Sequence, residues 1–197
     1  MRIGVLGGSF NPPHIGHLLI AVDAFEALAL DKLMIVPAGT QPLKGDVGGP
    51  TPAQRLEMVR RAFGDDRRFD VCAMEIERGG LSYTVDTLES LAADNKGAEL
   101  VLLVGSDAIA GFDKWKSPGR ITELSRIAIL SRGQQNEDDP RGPAGNGAFG
   151  QAEVVTTRRL DVSSSEIRAR AEAGKSIRGF VAESVEEYIS TAKLYRA

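Results

Sequence analysis

Apolar residues along this chain gather in short continuous runs separated by longer stretches of helical period. Ile3-Gly4-Val5-Leu6, Lys32-Leu33-Met34-Ile35-Val36-Pro37, Leu100-Val101-Leu102-Leu103-Val104 and Ile127-Ala128-Ile129-Leu130 read as strands buried on both faces. Phe69 to Ile76 reads as a further strand, closed by the turn Glu77-Arg78-Gly79-Gly80, and Val154-Val155 as a last short one. Between them lie helical segments. Leu18 to Leu30 follows the first strand. Gln54 to Ala62 continues a stripe of Leu56, Val59 and Phe63, and Tyr83 to Ala92 carries Val85, Leu88 and Leu91. Ile121 to Leu124 reads as a helix end, and Ser163 to Ala173 and Ser184 to Leu194 as terminal helices. Thr51-Pro52-Ala53-Gln54 has the form of a capping box with proline at the first helical position.

Residues 2–37 make one β-α-β unit of the expected length. The alternation predicts an α/β fold: a Rossmann-like, doubly wound parallel sheet with C-terminal helices, in a single domain spanning 1–197. Gly133 to Gly150 has no periodicity and is packed with Gly, Pro, Asn and Asp. It is expected to be a mobile surface loop, not a linker.

Composition narrows the class. The chain has 197 residues, 42% hydrophobic and 26% charged, with a formal net charge of −3. Those are ordinary globular values, and the charge gives no reason to expect a nucleic-acid or membrane surface. The single cysteine, Cys72, has no internal disulfide partner; its apolar neighbours predict a buried small hydrophobe, which suits a reducing compartment. The first strand begins almost at Met1, leaving no room for a signal peptide, and no apolar run is long enough to span a bilayer. The expected location is cytoplasmic. Homo-oligomerisation is left open.

The chemistry concentrates in Gly7-Gly8-Ser9-Phe10-Asn11-Pro12-Pro13-His14-Ile15-Gly16-His17, which joins the first strand to the first helix and holds both histidines. Paired glycines leave backbone N–H groups open to a phosphate, and the helix start adds partial positive charge. His14 and His17 are three apart, so within one helical turn they face the same way. The G-x-G-x-x-G spacing is absent and no Walker lysine follows. A metal site at His-x-x-His would lack a cysteine or third histidine to complete it.

Three more clusters sit at element ends. Lys44 lies in the loop after the second strand; a lone loop lysine is often merely solvated. Gly105-Ser106-Asp107 follows the central strand. The glycine permits close approach of a ligand and the carboxylate can accept from a ribose or base amine, although Ser106 or Asp107 would equally cap a helix. Ser163-Ser164-Ser165-Glu166-Ile167-Arg168 is a capping box, an anion cradle, or both. Gly174-Lys175-Ser176 ends like a Walker loop but has Ala169 where that loop needs its first glycine, and reads as a helix stop.

The opening turn resembles the G-G-[ST]-F-[DN]-P-x-H-x-G-H signature of the nucleotidyltransferase superfamily, and Ser163 to Arg168 resembles its second signature, S-[ST]-[ST]-x-I-R. Within that superfamily the chain resembles the bacterial nicotinate-nucleotide adenylyltransferases over nearly its full length. Arg55-Leu56-Glu57-Met58, Ser82-Tyr83-Thr84-Val85-Asp86-Thr87-Leu88, and Gly105-Ser106-Asp107-Ala108 with Phe112 and Trp115 support it. Leu43 stands where the family often has histidine, and Ser165 where it usually has threonine; neither change removes a charge.

The resemblance implies adenylyl transfer from ATP to nicotinate mononucleotide. It assigns His17 to the α-phosphate and His14 to the ATP phosphates from the loop side. Arg168 with Ser164 or Ser165 would take the β- and γ-phosphates, and Lys44 would bridge the phosphates of both substrates. Gly7, Gly8, Ser9 and Phe10 complete the ATP side. Gly16 would admit the adenosine, and Gly105 and Asp107 would face a sugar or the adenine. Asn11, Ser82, Tyr83, Thr84 and Trp115 fall on the mononucleotide side. Trp115 offers a face for ring stacking, or is simply a core tryptophan. The helix start at Ser82-Tyr83-Thr84 suits a carboxylate and so favours the acid over the amide. Mg2+ is expected on the ATP phosphates, with no protein-held metal. The competing readings are adenylyl transfer to nicotinamide mononucleotide or phosphopantetheine, cytidylyl transfer, and a nucleotide sensor without turnover.

Overall fold

Glycine or proline closes the three strands nearest the expected chemistry. β1 (Arg2–Gly8) ends in the glycine pair, β2 (Lys32–Pro37) at a proline and β4 (Glu99–Gly105) at a glycine. A computed structural model describes residues 1–41, 49–109, 111–131, 152–158 and 160–196. Lys44, Leu43 and the 133–150 loop lie outside the described residues. β3 (Phe69–Val71), β5 (Arg126–Ser131) and β6 (Glu153–Thr156) complete a six-stranded parallel sheet in the order β3-β2-β1-β4-β5-β6. β4 pairs in register with β1, Val5 opposite Leu102, and with β5, Leu103 opposite Ala128. Among the described residues no helix is long and apolar enough to cross a membrane.

The helices are α1 (Ile15–Ala27), α2 (Pro52–Phe63), α3 (Met74–Arg78), α4 (Thr84–Asp94), α5 (Ser106–Ile109), α6 (Pro118–Leu124), α7 (Ser164–Glu172) and α8 (Glu183–Thr191). The capping box of α2 forms as the sequence dictates: Gln54 N–H donates to Thr51 Oγ1, and Thr51 N–H to Gln54 Oε1. Ser163 caps α7 by accepting from Glu166 N–H.

Three expectations need correction. The strand predicted over Phe69 to Ile76 stops at Val71. Cys72 N–H still reaches Ile35 O at 2.9 Å, but Ala73 then turns right-handed and its carbonyl accepts from Ile76 and Glu77, starting α3. A short apolar run does not distinguish strand from helix by period. Cys72 itself is half-buried, not buried, because it sits at that junction; partial burial still pushes its thiol pKa up. The first helix begins three residues earlier than its apolar stripe suggested and breaks before Leu30, where Ala29 takes a left-handed φ of 46°. His17 therefore lies inside its first turn.

The chain divides into two compact units. One comprises Met1–Leu6, Ile20–Met34 and Tyr83–Arg159; the other comprises Gly7–Leu19, Ile35–Ser82 and Leu160–Ala197. The first has its core on β1, β4 and β5, with Leu88 and Leu91 of α4 buried. Gly4 is required there: a Cβ would meet the Leu30 and Leu33 methyls at 2.5 and 2.7 Å. The second buries Met58, Ile167, Ile177, Val181, Val185, Ile189 and Leu194, joining α2, α7 and α8. Each fully buried aliphatic side chain contributes about 1.5–3 kcal/mol.

Candidate active site

The second unit contains the whole opening crossover. Phe10 fixes its course. Its backbone is left-handed at φ 45°, unusual for a bulky residue, and its ring is 2% exposed. That ring meets Phe63 and His17 edge-on, at 6.1 and 5.1 Å between centroids. Gly8 makes room for it, since a Cβ there would lie 3.1 Å from the ring, whereas a Cβ at Gly7 would meet nothing within 4 Å. The Gly7 backbone thus borders open space on its Cβ side.

Beyond Phe10, main-chain carbonyls do the holding. Arg168 Nη1 donates to Asn11 O at 2.8 Å, and Ser164 Oγ to Pro12 O at 2.9 Å. Arg168 Nη2 reaches Ser165 Oγ at 3.1 Å. The first turn of α7 is thereby tied to the crossover across more than 150 residues of sequence. The two signatures come together as expected.

The histidines stack, with centroids 3.8 Å apart and rings tilted 36°. His14 N–H donates to His17 Nδ1 at 3.1 Å. An accepting Nδ1 places the proton of a neutral His17 on Nε2, which makes that atom a donor suited to an anionic oxygen. Gly16 accommodates the His14 ring: a Cβ would lie 3.0 Å from His14 Cε1 and Nδ1.

Arg55 is 7% exposed and donates to three carbonyls, Ser9 O at 2.9 Å, Ala38 O at 2.6 Å and Gly39 O at 2.5 Å. It locks the turn after β1 to the turn after β2. Ser82 holds the same loop twice: its N–H donates to Thr40 O at 2.8 Å, and its Oγ accepts from Gly39 N–H at 2.8 Å. The Ser82 oxygen expected to face the pyridine thus already accepts within the chain.

The first unit carries the remaining expected residues. Tyr83 precedes α4 and Thr84 begins it. Lys116 sits 4.5 Å from the Tyr83 ring centroid and pairs with Asp86 at 2.9 Å. Trp115 is half-buried, its ring 5.1 Å from that of the buried Phe112 and tilted 40°, so it is not a core tryptophan. Asp107 is exposed, and its carboxylate folds back over Gly105: a Cβ there would meet Asp107 Oδ1 at 2.5 Å. Among the described residues no three His, Cys, Asp or Glu side chains gather to hold a metal ion.

The cytidylyltransferase-like family matches residues 5–170. A probable nicotinate-nucleotide adenylyltransferase from Gemmatimonas aurantiaca is 45% identical over 100% of this chain and 93% of its own length. The chain belongs to the nicotinate-nucleotide adenylyltransferase family. A second relative so named, from Geobacter sp., is 38% identical over 99% of this chain and 98% of its own. In fold the chain is similar to Plasmodium falciparum nicotinic acid mononucleotide adenylyltransferase complexed with NaAD. That likeness has a TM-score of 0.75 at 17% identity and covers 98% and 97% of the two chains.

Two residues of this adenylyltransferase-family chain escaped sequence reasoning. Arg55 carried part of the resemblance but was given no task; a buried arginine on an amphipathic helix was the available signal. Tyr195 had no signal. It lies in the turn after α8, where Lys193 and Tyr195 take left-handed φ of 52° and 58°. Its hydroxyl donates to Asn11 Oδ1 at 2.6 Å, with Met58 Sδ at 3.9 Å. Burial pushes the phenol pKa up, while the positive charges of Arg168 and Arg55 pull it down by less.

Proposed function

We propose that this chain transfers the adenylyl group of ATP to nicotinate mononucleotide, giving deamido-NAD and pyrophosphate, in the biosynthesis of NAD. One observation carries the mechanism: the Asn11 and Pro12 carbonyls hold Arg168 and Ser164 on the turn that bears the His14–His17 pair. A 5′-phosphate oxygen of the mononucleotide attacks the α-phosphorus and forms the new P–O bond. The bond from the α-phosphorus to the bridging oxygen breaks, and its electron pair leaves with pyrophosphate. The attacking phosphate is already ionised at neutral pH, so no strong base is required. Catalysis is then positioning and charge stabilisation.

In this reading His17 Nε2–H donates to the α-phosphate oxygens as their charge shifts. His14 supports the ATP phosphates from the loop side. Arg168, with Ser164 and Ser165, takes the β- and γ-phosphates, and Lys44 bridges the two substrates. Gly7 supplies open backbone. Gly105 and Asp107 serve a sugar or the adenine, and Tyr83, Thr84 and Trp115 serve the pyridine. Magnesium enters with ATP as part of the substrate, and no step is routed through it. A reducing, cytoplasmic setting belongs to the same reading, with the lone Cys72 in its support.

Pyrophosphate release with ATP and each of nicotinate mononucleotide, nicotinamide mononucleotide and phosphopantetheine tests it. The nicotinate compound should give the highest kcat/KM. Equal or faster release with phosphopantetheine would overturn the substrate, and no release with any would overturn the enzyme.

A further inference from the structure

We propose that Tyr195 is a positioning residue for the adenylyl transfer, acting through Asn11. The inference rests on the function proposed above. An asparagine side chain has one acceptor oxygen and two donor N–H groups. Tyr195 occupies the oxygen at 2.6 Å. What Asn11 then presents to a ligand is its amide N–H pair, which suits a phosphate and not a cation or a donor. The same residue's main-chain carbonyl accepts from Arg168 Nη1 at 2.8 Å. A single phenol therefore orients the Asn11 side chain while Arg168 grips its backbone.

The placement is specific. Tyr195 sits in left-handed backbone and packs against the Met58, Ile167 and Leu194 cluster. Strained non-glycine backbone persists only where its surroundings fix it. Burial, which outweighs the opposing pull of the neighbouring arginines, keeps the hydroxyl a donor over the working pH range. Without the hydroxyl the amide is released to rotate and to turn its carbonyl oxygen toward the phosphate.

The test is a double-mutant cycle read by steady-state kinetics. Tyr195→Phe keeps the ring and removes the donor. It should lower kcat/KM for nicotinate mononucleotide about tenfold, more than it lowers that for ATP. In an Asn11→Ala background the same substitution should change kcat/KM by less than about twofold. A merely structural tyrosine would give the same factor in both backgrounds, and that result overturns the proposal, as does a wild-type rate in Tyr195→Phe. The functional reading fails separately, if the wild-type protein releases no pyrophosphate with any mononucleotide.

Discussion

The surroundings of the opening crossover and the stretch from Tyr83 to Glu123 both hold charged side chains, but they place them differently. Around the crossover, Arg55, Arg168 and Ser164 donate to main-chain carbonyls. A carbonyl acceptor moves only if the backbone moves. In the other stretch the charges meet each other at the surface. Lys116 pairs with Asp86, and Arg120 with Glu89 and Glu123, with side chains 31–67% exposed. Such pairs are screened and weak. The first region is anchored to the backbone, which is the rigidity that the proposed transfer from a polyphosphate requires. The second is held by side chains that can rearrange without moving the backbone. The difference teaches that charge content alone does not set how firmly a region is held; the identity of the acceptors does.

The sharpest way to break that contrast is Arg55→Met against Arg120→Ala. Methionine keeps most of the volume but leaves three carbonyls without their donor. The expected loss is about 3 kcal/mol, and Tm should fall by about 6–12 °C. Arg120→Ala should leave Tm unmoved. Equal shifts in a thermal melt would mean that backbone anchoring is not what stabilises the crossover. His17→Ala comes next. It should lower kcat by about 10², close to 2.7 kcal/mol, with a modest change in ATP affinity. Wild-type turnover in that variant would remove His17 from the reaction.

How much of this was legible depended on distance along the chain. Strands ending in Gly8, Pro37 and Gly105, the Thr51 cap and the Ser163 cap are local, and the sequence shows them directly. The meeting of Arg168 with Asn11 was reachable only through two separate signatures, each pointing at phosphate. Tyr195 was not reachable at all. Its partner is 184 positions away and its ring enters through a turn whose left-handed residues are not glycine. Arg55 hid for a related reason: its three acceptors are carbonyls, which every residue possesses. The α3 error has the opposite origin. Val71, Cys72, Met74 and Ile76 are all half-buried, so hydrophobicity gave the burial approximately and the geometry wrongly.

Trp115 probes the adjustable region. Trp115→Ala should raise KM for nicotinate mononucleotide about tenfold and leave KM for ATP nearly unchanged, at a cost of about 1 kcal/mol in lost ring packing against Phe112. A matched rise in both values would mean that Trp115 acts on the fold and not on the ring.

The smallest effect tests whether the Tyr195 end of the crossover is as fixed as the Arg55 end. Burial holds the Tyr195 phenol above its ordinary range. An acid whose pKa is raised by folding loses its proton more readily when the chain unfolds. Its contribution is therefore fully present below about pH 10, the unfolded value, and is lost as pH climbs past it, at up to about 1.4 kcal/mol per pH unit. Between pH 9 and pH 11 the wild-type protein should lose about 1 kcal/mol more stability than Tyr195→Phe in urea denaturation. If the two lose the same amount, the phenol ionises in the folded protein as it does in the open chain. Tyr195 would then be as loosely held as the surface pairs around Lys116, and the contrast between the two regions would end at Arg168.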